Sequence, residues 1–395
     1  MEKKDKTLTY KSYLIPFVLI VLLFFMWGFA RAILDVLNKH FQTVMHISIA
    51  QSSLIQVATY MGYFITALPA GMYIMRYGYR RGIVTGLLIF AAGALLFVPS
   101  MWSGTFMAFV GALFVIGCGL TFLEVSANPY VTLVGPVETS SSRLNLAQSF
   151  NGLGCVLAPL LVGRFLFSGA DADVSVPYVI MGILVVVAAV AFSRVPLPDI
   201  IRNDSQQGVA SGTLLKNRSF LYGVGALLAY EVSEICINSY FVNFTTAMNW
   251  LTSIDASRVL SLALVLFMAG RFAGSWMMRF LSAEMMLLIC ASGSVACVII
   301  VLLDIQEVSL CALILNYAFE AIMFPTVFSL SLRGLSPVET KRAGSILMMT
   351  PVGGCTFLLM GLIADNAGPV VPFVLPLAGY VIVAAYARWL HRNFR

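Results

Sequence analysis

Charge is what this chain has least of. Only 11% of its 395 residues are Asp, Glu, Lys or Arg, while 60% are apolar, and its mean hydropathy is +0.92. A soluble domain carries about 25% charged residues, so there is too little polar surface here to cover a globule in water. Histidine is nearly absent: His40, His46 and His391 are the three in the chain, too few and too scattered for a histidine metal centre or a histidine proton relay. The seven cysteines (Cys118, Cys155, Cys236, Cys290, Cys297, Cys311 and Cys355) all lie in apolar runs and form no CxxC pair. They read as small packing residues, with no disulfide framework and no metal site. No HExxH helix and no Gly-x-x-x-x-Gly-Lys-[Ser/Thr] phosphate loop is present, which removes zinc hydrolysis and ATP-driven work. No cofactor is implied.

What remains is apolar sequence in long stretches. A spanning helix needs roughly 20 mostly apolar residues, and the pattern predicts spans near 12–38, 52–75, 82–100, 104–134, 143–168 and 177–195, then 219–247, 257–280, 285–303, 308–333, 343–365 and 370–390. The basic N-terminus leads into an apolar run that lacks a small-residue cleavage site, so it reads as a retained first span. The fold class expected is all-α, with twelve membrane helices in two six-helix halves, 1–196 and 219–395, joined by a cytoplasmic linker at 197–218. With both termini inside, predicted cytoplasmic segments hold nineteen Lys and Arg, against Lys39 and Arg258 in outside loops. That asymmetry sets the orientation. It also accounts for most of the net charge of +6, so nucleic acid is not an expected partner.

The halves repeat. Glu124 precedes Pro129 by five residues and Glu320 precedes Pro325 by five. Pro-Val-Glu-Thr follows in each half, at 136–139 and 337–340, then a basic residue (Arg143, Arg342) and a glycine-bearing helix (Gly152 and Gly154; Gly353 and Gly354). An offset near half the chain, with an even number of spans per half, makes the repeat parallel. Carriers built this way bind their solute near the bilayer midplane between the halves.

Charges inside the spans stand against this apolar background. Each costs roughly 2.5–3.5 kcal/mol at the bilayer centre on insertion scales. Arg31 and Asp35 are spaced i,i+4 in the first span, Glu124 is in the fourth, Glu231 and Glu234 are spaced i,i+3 in the seventh, and Glu320 is in the tenth. Each pair shares a helix face, and the repeat offset matches Asp35 with the Glu231/Glu234 region and Glu124 with Glu320. Recurring carboxylates of this kind are expected to line a central cavity. A carboxyl group in a low-dielectric, changing environment can take up and release a proton, and a second one can accept hydrogen bonds from sugar hydroxyls. Two readings stay open for most of these groups. Arg31 and Asp35 either act in the site or pair only to make the first span insertable. Glu231 and Glu234 either serve the cavity or have a structural or helix-end role. Gln148 and Asn151, one turn apart in the fifth span, either bind sugar or tie helices together. Arg271 reads as a brace of the eighth span.

Four blocks then carry a resemblance: WGFARAILDVLNKHFQ at 27–42, GLTFLEVSANPYVTLVG at 119–135, RLNLAQSFNG at 143–152 and FPTVFSL at 324–330. In these the chain resembles the fucose–galactose–glucose:proton symporter group of the major facilitator superfamily. The stretch GMYIMRYGYRRG at 71–82 resembles the superfamily's loop between spans 2 and 3, with Met75 where an Asp is usual. The resemblance implies a multi-pass bacterial inner-membrane protein, not an enzyme. It implies proton-coupled uptake of L-fucose or a related hexose by alternating access, by a monomer in the lipid bilayer. Asp35 matches the group's proton-coupling carboxylate, Glu124 its sugar-site carboxylate, and Gln148 and Asn151 its polar cavity wall. Arg31, Glu231, Glu234 and Glu320 depart from its pattern. They are carried as further substrate-binding candidates, because Arg31 suits an acidic sugar such as a sialic acid or uronate, and the extra glutamates suit an amino sugar.

Overall fold

The computed structural model describes residues 9–135, 140–167, 175–195, 217–278, 280–333, 335, 343–344 and 346–393. Both Pro-Val-Glu-Thr repeats, Arg342 and most of the expected linker lie outside these residues. Every regular element among them is helical. The long helices are α1 (Leu14–Met45), α3 (Leu54–Tyr77), α4 (Tyr79–Leu95), α6 (Phe106–Leu133), α7 (Ser140–Phe167), α8 (Ser175–Arg194), α9 (Arg218–Ala247), α10 (Ser253–Met277), α11 (Ala283–Leu302), α12 (Gln306–Glu320) and α15 (Val374–Asn393). Shorter pieces are α2 (Ile49–Ser52), α5 (Phe97–Ser103), α13 (Met323–Ser331) and α14 (Phe357–Ala367), with 3₁₀ turns at Thr350–Thr356 and Val371–Phe373.

Ten of the twelve expected spans fall in helical stretches long and apolar enough to cross a membrane. The expected span at 52–75 is the 24-residue helix α3; Gln56, Thr59 and Thr66 on it are buried, which dilutes its hydropathy. The expected span at 343–365 does not run as one helix. Residues 343, 344, 346 and 347 are α-helical, Thr350–Thr356 is 3₁₀ with Pro351 near its start, and regular α-helix resumes at Phe357.

The expected span at 308–333 also breaks, between α12 and α13 at Ala321–Ile322. Pro325 explains the break. It has no N–H to give the carbonyl four residues back, and its ring crowds that carbonyl. The carbonyl is that of Ala321, and the Arg271 side chain of α10 meets it, donating from Nε at 3.2 Å. Arg271 thus braces a helix break, with its guanidinium 4.6 Å from the Phe267 ring centre.

Tertiary contacts group the chain into two compact units. Unit 1 comprises Met1–Ile33, Met61–Ala158 and Asp173–Gln206. Within it α4 packs on α6 and α8, and the rings of Phe97 and Tyr178 stack 3.7 Å apart. Helix α1 meets α7 at closest range where both carry glycine. A Cβ on Gly28 would strike the Asn151 backbone, and one on Gly154 would strike that of Phe25. Small residues let membrane helices approach this closely, where dispersion and polar contacts replace the hydrophobic drive of water.

Unit 2 comprises Leu34–Tyr60, Pro159–Ala172 and Gln207–Arg395. Its axis is α9, which packs on α10, α13, α15 and the Thr350–Thr356 turn. Every residue of α9 from Ser233 to Thr245 is buried, as expected of a helix surrounded by protein on all sides. Helix α2 docks on α14, where Gly361 faces the Ala50 backbone with no room for a Cβ.

Candidate functional site

Among the described residues, each unit holds polar side chains within its apolar interior. In unit 1 a cluster is built by α1, α6 and α7. Glu124 and Asn128 are one turn apart on α6, and Gln148 of α7 donates its amide to Asn128 Oδ1 at 3.3 Å. One turn further along α7, Asn151 donates to the Phe24 carbonyl of α1 at 3.1 Å, beside the Gly28–Gly154 approach that brings these backbones together. Cys155 adds a contact from Sγ to the Gly28 carbonyl at 3.3 Å. Glu124, Gln148 and Asn151 are each half-buried.

Glu124 has no basic residue within a turn of its own helix. The fold supplies one from elsewhere: Arg31 of α1 lies close enough to act on it electrostatically. The cation that sequence spacing offers as a partner for Asp35 therefore acts on Glu124. This cluster combines one carboxylate, one guanidinium and three amides, so its fixed charges offset each other. Such a set can both donate to and accept from a polyhydroxylated solute, which has both kinds of group.

The cluster in unit 2 has a different character. Ser239 of α9 donates from Oγ to Asp35 Oδ1 at 3.2 Å. Gln56 of α3 in turn donates to Ser239 Oγ at 3.1 Å and to the Leu34 carbonyl at 3.4 Å. The acid of α1 is thus tied to α9 through a hydroxyl, and that hydroxyl is itself oriented by an amide from α3. Glu231 and Glu234 lie midway along α9 and are buried, as are Asn238 and Asn243. Asn238 donates to Glu234 Oε1 at 3.1 Å. Neither glutamate is near a helix end, so the helix-end reading of them is replaced by burial in the middle of the unit. Glu320 closes α12 with no exposed surface. It accepts from Asn316 Nδ2 at 2.9 Å and from the Tyr380 hydroxyl of α15 at 2.6 Å, both on Oε2.

Of the eight residues singled out in the sequence, Arg31, Glu124, Gln148 and Asn151 belong to unit 1, and Asp35, Glu231, Glu234 and Glu320 to unit 2. Sequence reading missed Gln56, Ser239, Asn316 and Tyr380. Asn316 carried a weak signal, four residues before Glu320 on one helix face. Tyr380 carried none, because it lies 60 residues from the carboxylate it meets.

The comparisons with known proteins agree with this architecture. The model of the Major Facilitator Superfamily matches residues 17–355. The glucose/galactose transporter of Brucella abortus is 34% identical, over 96% of this chain and 95% of its own length. The L-fucose-proton symporter of Escherichia coli is 31% identical, over 96% and 94%. Among solved structures, that of the E. coli fucose:proton symporter is similar with a TM-score of 0.72 at 31% identity, covering 96% of this chain and 99% of that one. The D-xylose-proton symporter shares the fold, with a TM-score of 0.76 at 13% identity over 95% and 96%.

Proposed function

Because the chain belongs to the Major Facilitator Superfamily, a family of transporters and not enzymes, we propose that it is a proton-coupled monosaccharide symporter. It works in the bacterial inner membrane with both termini cytoplasmic, moving a neutral hexose such as L-fucose, galactose or glucose by alternating access between its six-helix halves. Relatives named for fucose–proton symport and for glucose and galactose transport support the substrate class.

The observation that carries the reading is the cluster of Glu124, Asn128, Gln148 and Asn151 beside Arg31. A hexose offers several hydroxyls and no charge, and this cluster offers amides and a carboxylate with its countercharge already present. The same feature weighs against an acidic sugar: with Arg31 acting on Glu124, no surplus positive charge is left for a substrate carboxylate.

Asp35 carries the coupled proton. When ionised it accepts a charge-assisted hydrogen bond from Ser239, and such bonds are about twice as strong as neutral ones. Taking up a proton weakens the tie between α1 and α9. Sugar then binds against Glu124, Gln148 and Asn151, the halves rock, and sugar and proton leave on the cytoplasmic side. Glu231 and Glu234 supply further polar lining from α9.

Reconstitution into liposomes with an internal pH dye tests this. Adding L-fucose, galactose or glucose outside is expected to acidify the lumen, while N-acetylneuraminate and glucuronate leave it unchanged. Acidification by the acidic sugars alone would overturn the neutral-hexose reading, and a sugar signal that survives in Asp35→Asn would remove Asp35 from coupling.

A further inference from the structure

Glu320 stands apart from the other carboxylates. Its side chain has no solvent-exposed surface, and among the described residues no Lys, Arg or His forms an ion pair with it. Every hydrogen bond it receives comes from a neutral donor. Asn316 and Tyr380 both deliver to Oε2, at 2.9 and 2.6 Å, and Asn316 Nδ2 also lies 3.1 Å from the Tyr380 hydroxyl, which closes a triangle. The other oxygen, Oε1, has no hydrogen-bond partner.

Two further observations bear on the charge. Glu320 is the last residue of α12, where backbone carbonyls give a helix its negative end and a carboxylate is disfavoured. Among the described residues, the guanidinium that meets this break is that of Arg271, and it gives its Nε to the Ala321 carbonyl. Beside Glu320, Asn316 Oδ1, an acceptor, also has no partner, nor has the nearby Tyr317 hydroxyl, which can donate or accept. A bare carboxylate adds one more unmatched acceptor and an unpaired charge, the most costly kind of group to bury. One proton on Oε1 removes the charge and converts that oxygen from acceptor to donor.

We propose that Glu320, caged by Asn316 and Tyr380, is a second proton-binding site, distinct from Asp35. This goes beyond the reading above, in which Asp35 alone carries the coupled proton. The charged and titratable groups facing the cage are Tyr230 and Glu234 of α9, with Glu231 one turn away, Cys297 of α11, Tyr317 of α12 and Tyr380 of α15. Arg271 of α10 acts on Tyr230, and Asp35 of α1 acts on Tyr317. The carboxyl O–H is intact while α12 and α15 hold the cage closed. When water reaches Glu320, the O–H bond breaks, the proton passes to water, and the electron pair stays on the carboxylate.

Infrared difference spectroscopy on the full-length protein in lipid tests this at neutral pH in sodium-free buffer. The wild type is expected to show the carbonyl stretch of a protonated carboxylic acid. Glu320→Gln, which keeps a neutral group of the same shape, removes it, while Asp35→Asn and Glu124→Gln leave this component in place. Tyr380→Phe removes a donor from the acid carbonyl and shifts the same component to higher frequency. A spectrum in which Glu320→Gln changes nothing overturns the proposal, and so does a carboxylic acid band that sodium abolishes, which would make the cage a metal-cation site. A transport readout is independent of the spectrum. Each coupled charge contributes about 50-fold to accumulation at a membrane potential of about 100 mV, so Glu320→Gln is expected to lower the limiting sugar gradient by that factor. If no sugar moves protons, the symport reading fails while the infrared result still decides the protonation of Glu320.

Discussion

Replacing Asp365 tests whether one exposed carboxylate holds two helices together. Asp365 sits near the end of α14, and its carboxylate accepts from the backbone N–H of Ile49 at 3.2 Å and of Ala50 at 2.9 Å. These are first-turn donors of α2, left without partners inside a helix of four residues. Ser48 and Gln51 form a reciprocal cap for the rest, at 3.1 and 3.0 Å. So short a helix cannot stand alone, and its remaining donors depend on α14. Hydrogen bonds to a charged group are worth about 1.5–3 kcal/mol each when protected. Asp365 is exposed, so solvent screening lowers this, and about 1 kcal/mol for the pair agrees with losses seen on removing helix caps. Asp365→Ala should therefore raise the share of molecules with α2 and α14 apart about fivefold, at 1.4 kcal/mol per tenfold. Spin labels at the exposed positions Val44 and Asn366, in a cysteine-free background, report that separation by electron–electron distance measurement in lipid. Asp365→Asn, which keeps one acceptor oxygen, should fall between the two. If the distance distribution of Asp365→Ala matches that of the parent, the carboxylate is not a latch and the reasoning is refuted.

Further expectations concern the site and the packing beneath it. Asp35→Asn should lower the limiting sugar gradient by at least the roughly 50-fold that one coupled charge supplies at about 100 mV while sparing sugar counterflow, measured with radiolabelled hexose in vesicles; normal accumulation would sink its role. Glu124→Ala should weaken sugar binding by tenfold or more, consistent with losing a charged hydrogen-bonding partner, and calorimetry with unchanged affinity would take it out of the site. Gly28→Val should destabilise the protein by about 1–3 kcal/mol, because an added side chain meets the Asn151 backbone; an unchanged thermal transition in detergent would contradict the close approach of α1 and α7. Arg271→Ala should leave the Ala321 carbonyl without its donor, at a cost of about 1–3 kcal/mol, and Arg271→Lys should recover part of the loss in the same thermal assay.

Much of this protein was legible without coordinates, for a physical reason. Lipid demands long apolar helices whose backbone groups are satisfied within the segment, so composition and the spacing of polar breaks announce the spans. The scarcity of charge made Arg31, Asp35, Glu124, Glu231, Glu234 and Glu320 conspicuous, since each costs energy to insert. The Glu–Pro spacing shared by the halves was legible as a repeat, but the break of the tenth span at Ala321, where Pro325 withholds its N–H, was not read from it and appears only in the structure. What the tertiary structure alone decided was pairing across distance. It brought Arg31 to Glu124, Ser239 to Asp35, Tyr380 to Glu320 and Arg271 to the carbonyl that Pro325 leaves open. Sequence periodicity reports which face of its own helix a residue occupies, but which foreign helix that face meets is set by packing, and packing is where Glu124 acquires a cation and Glu320 a neutral cage.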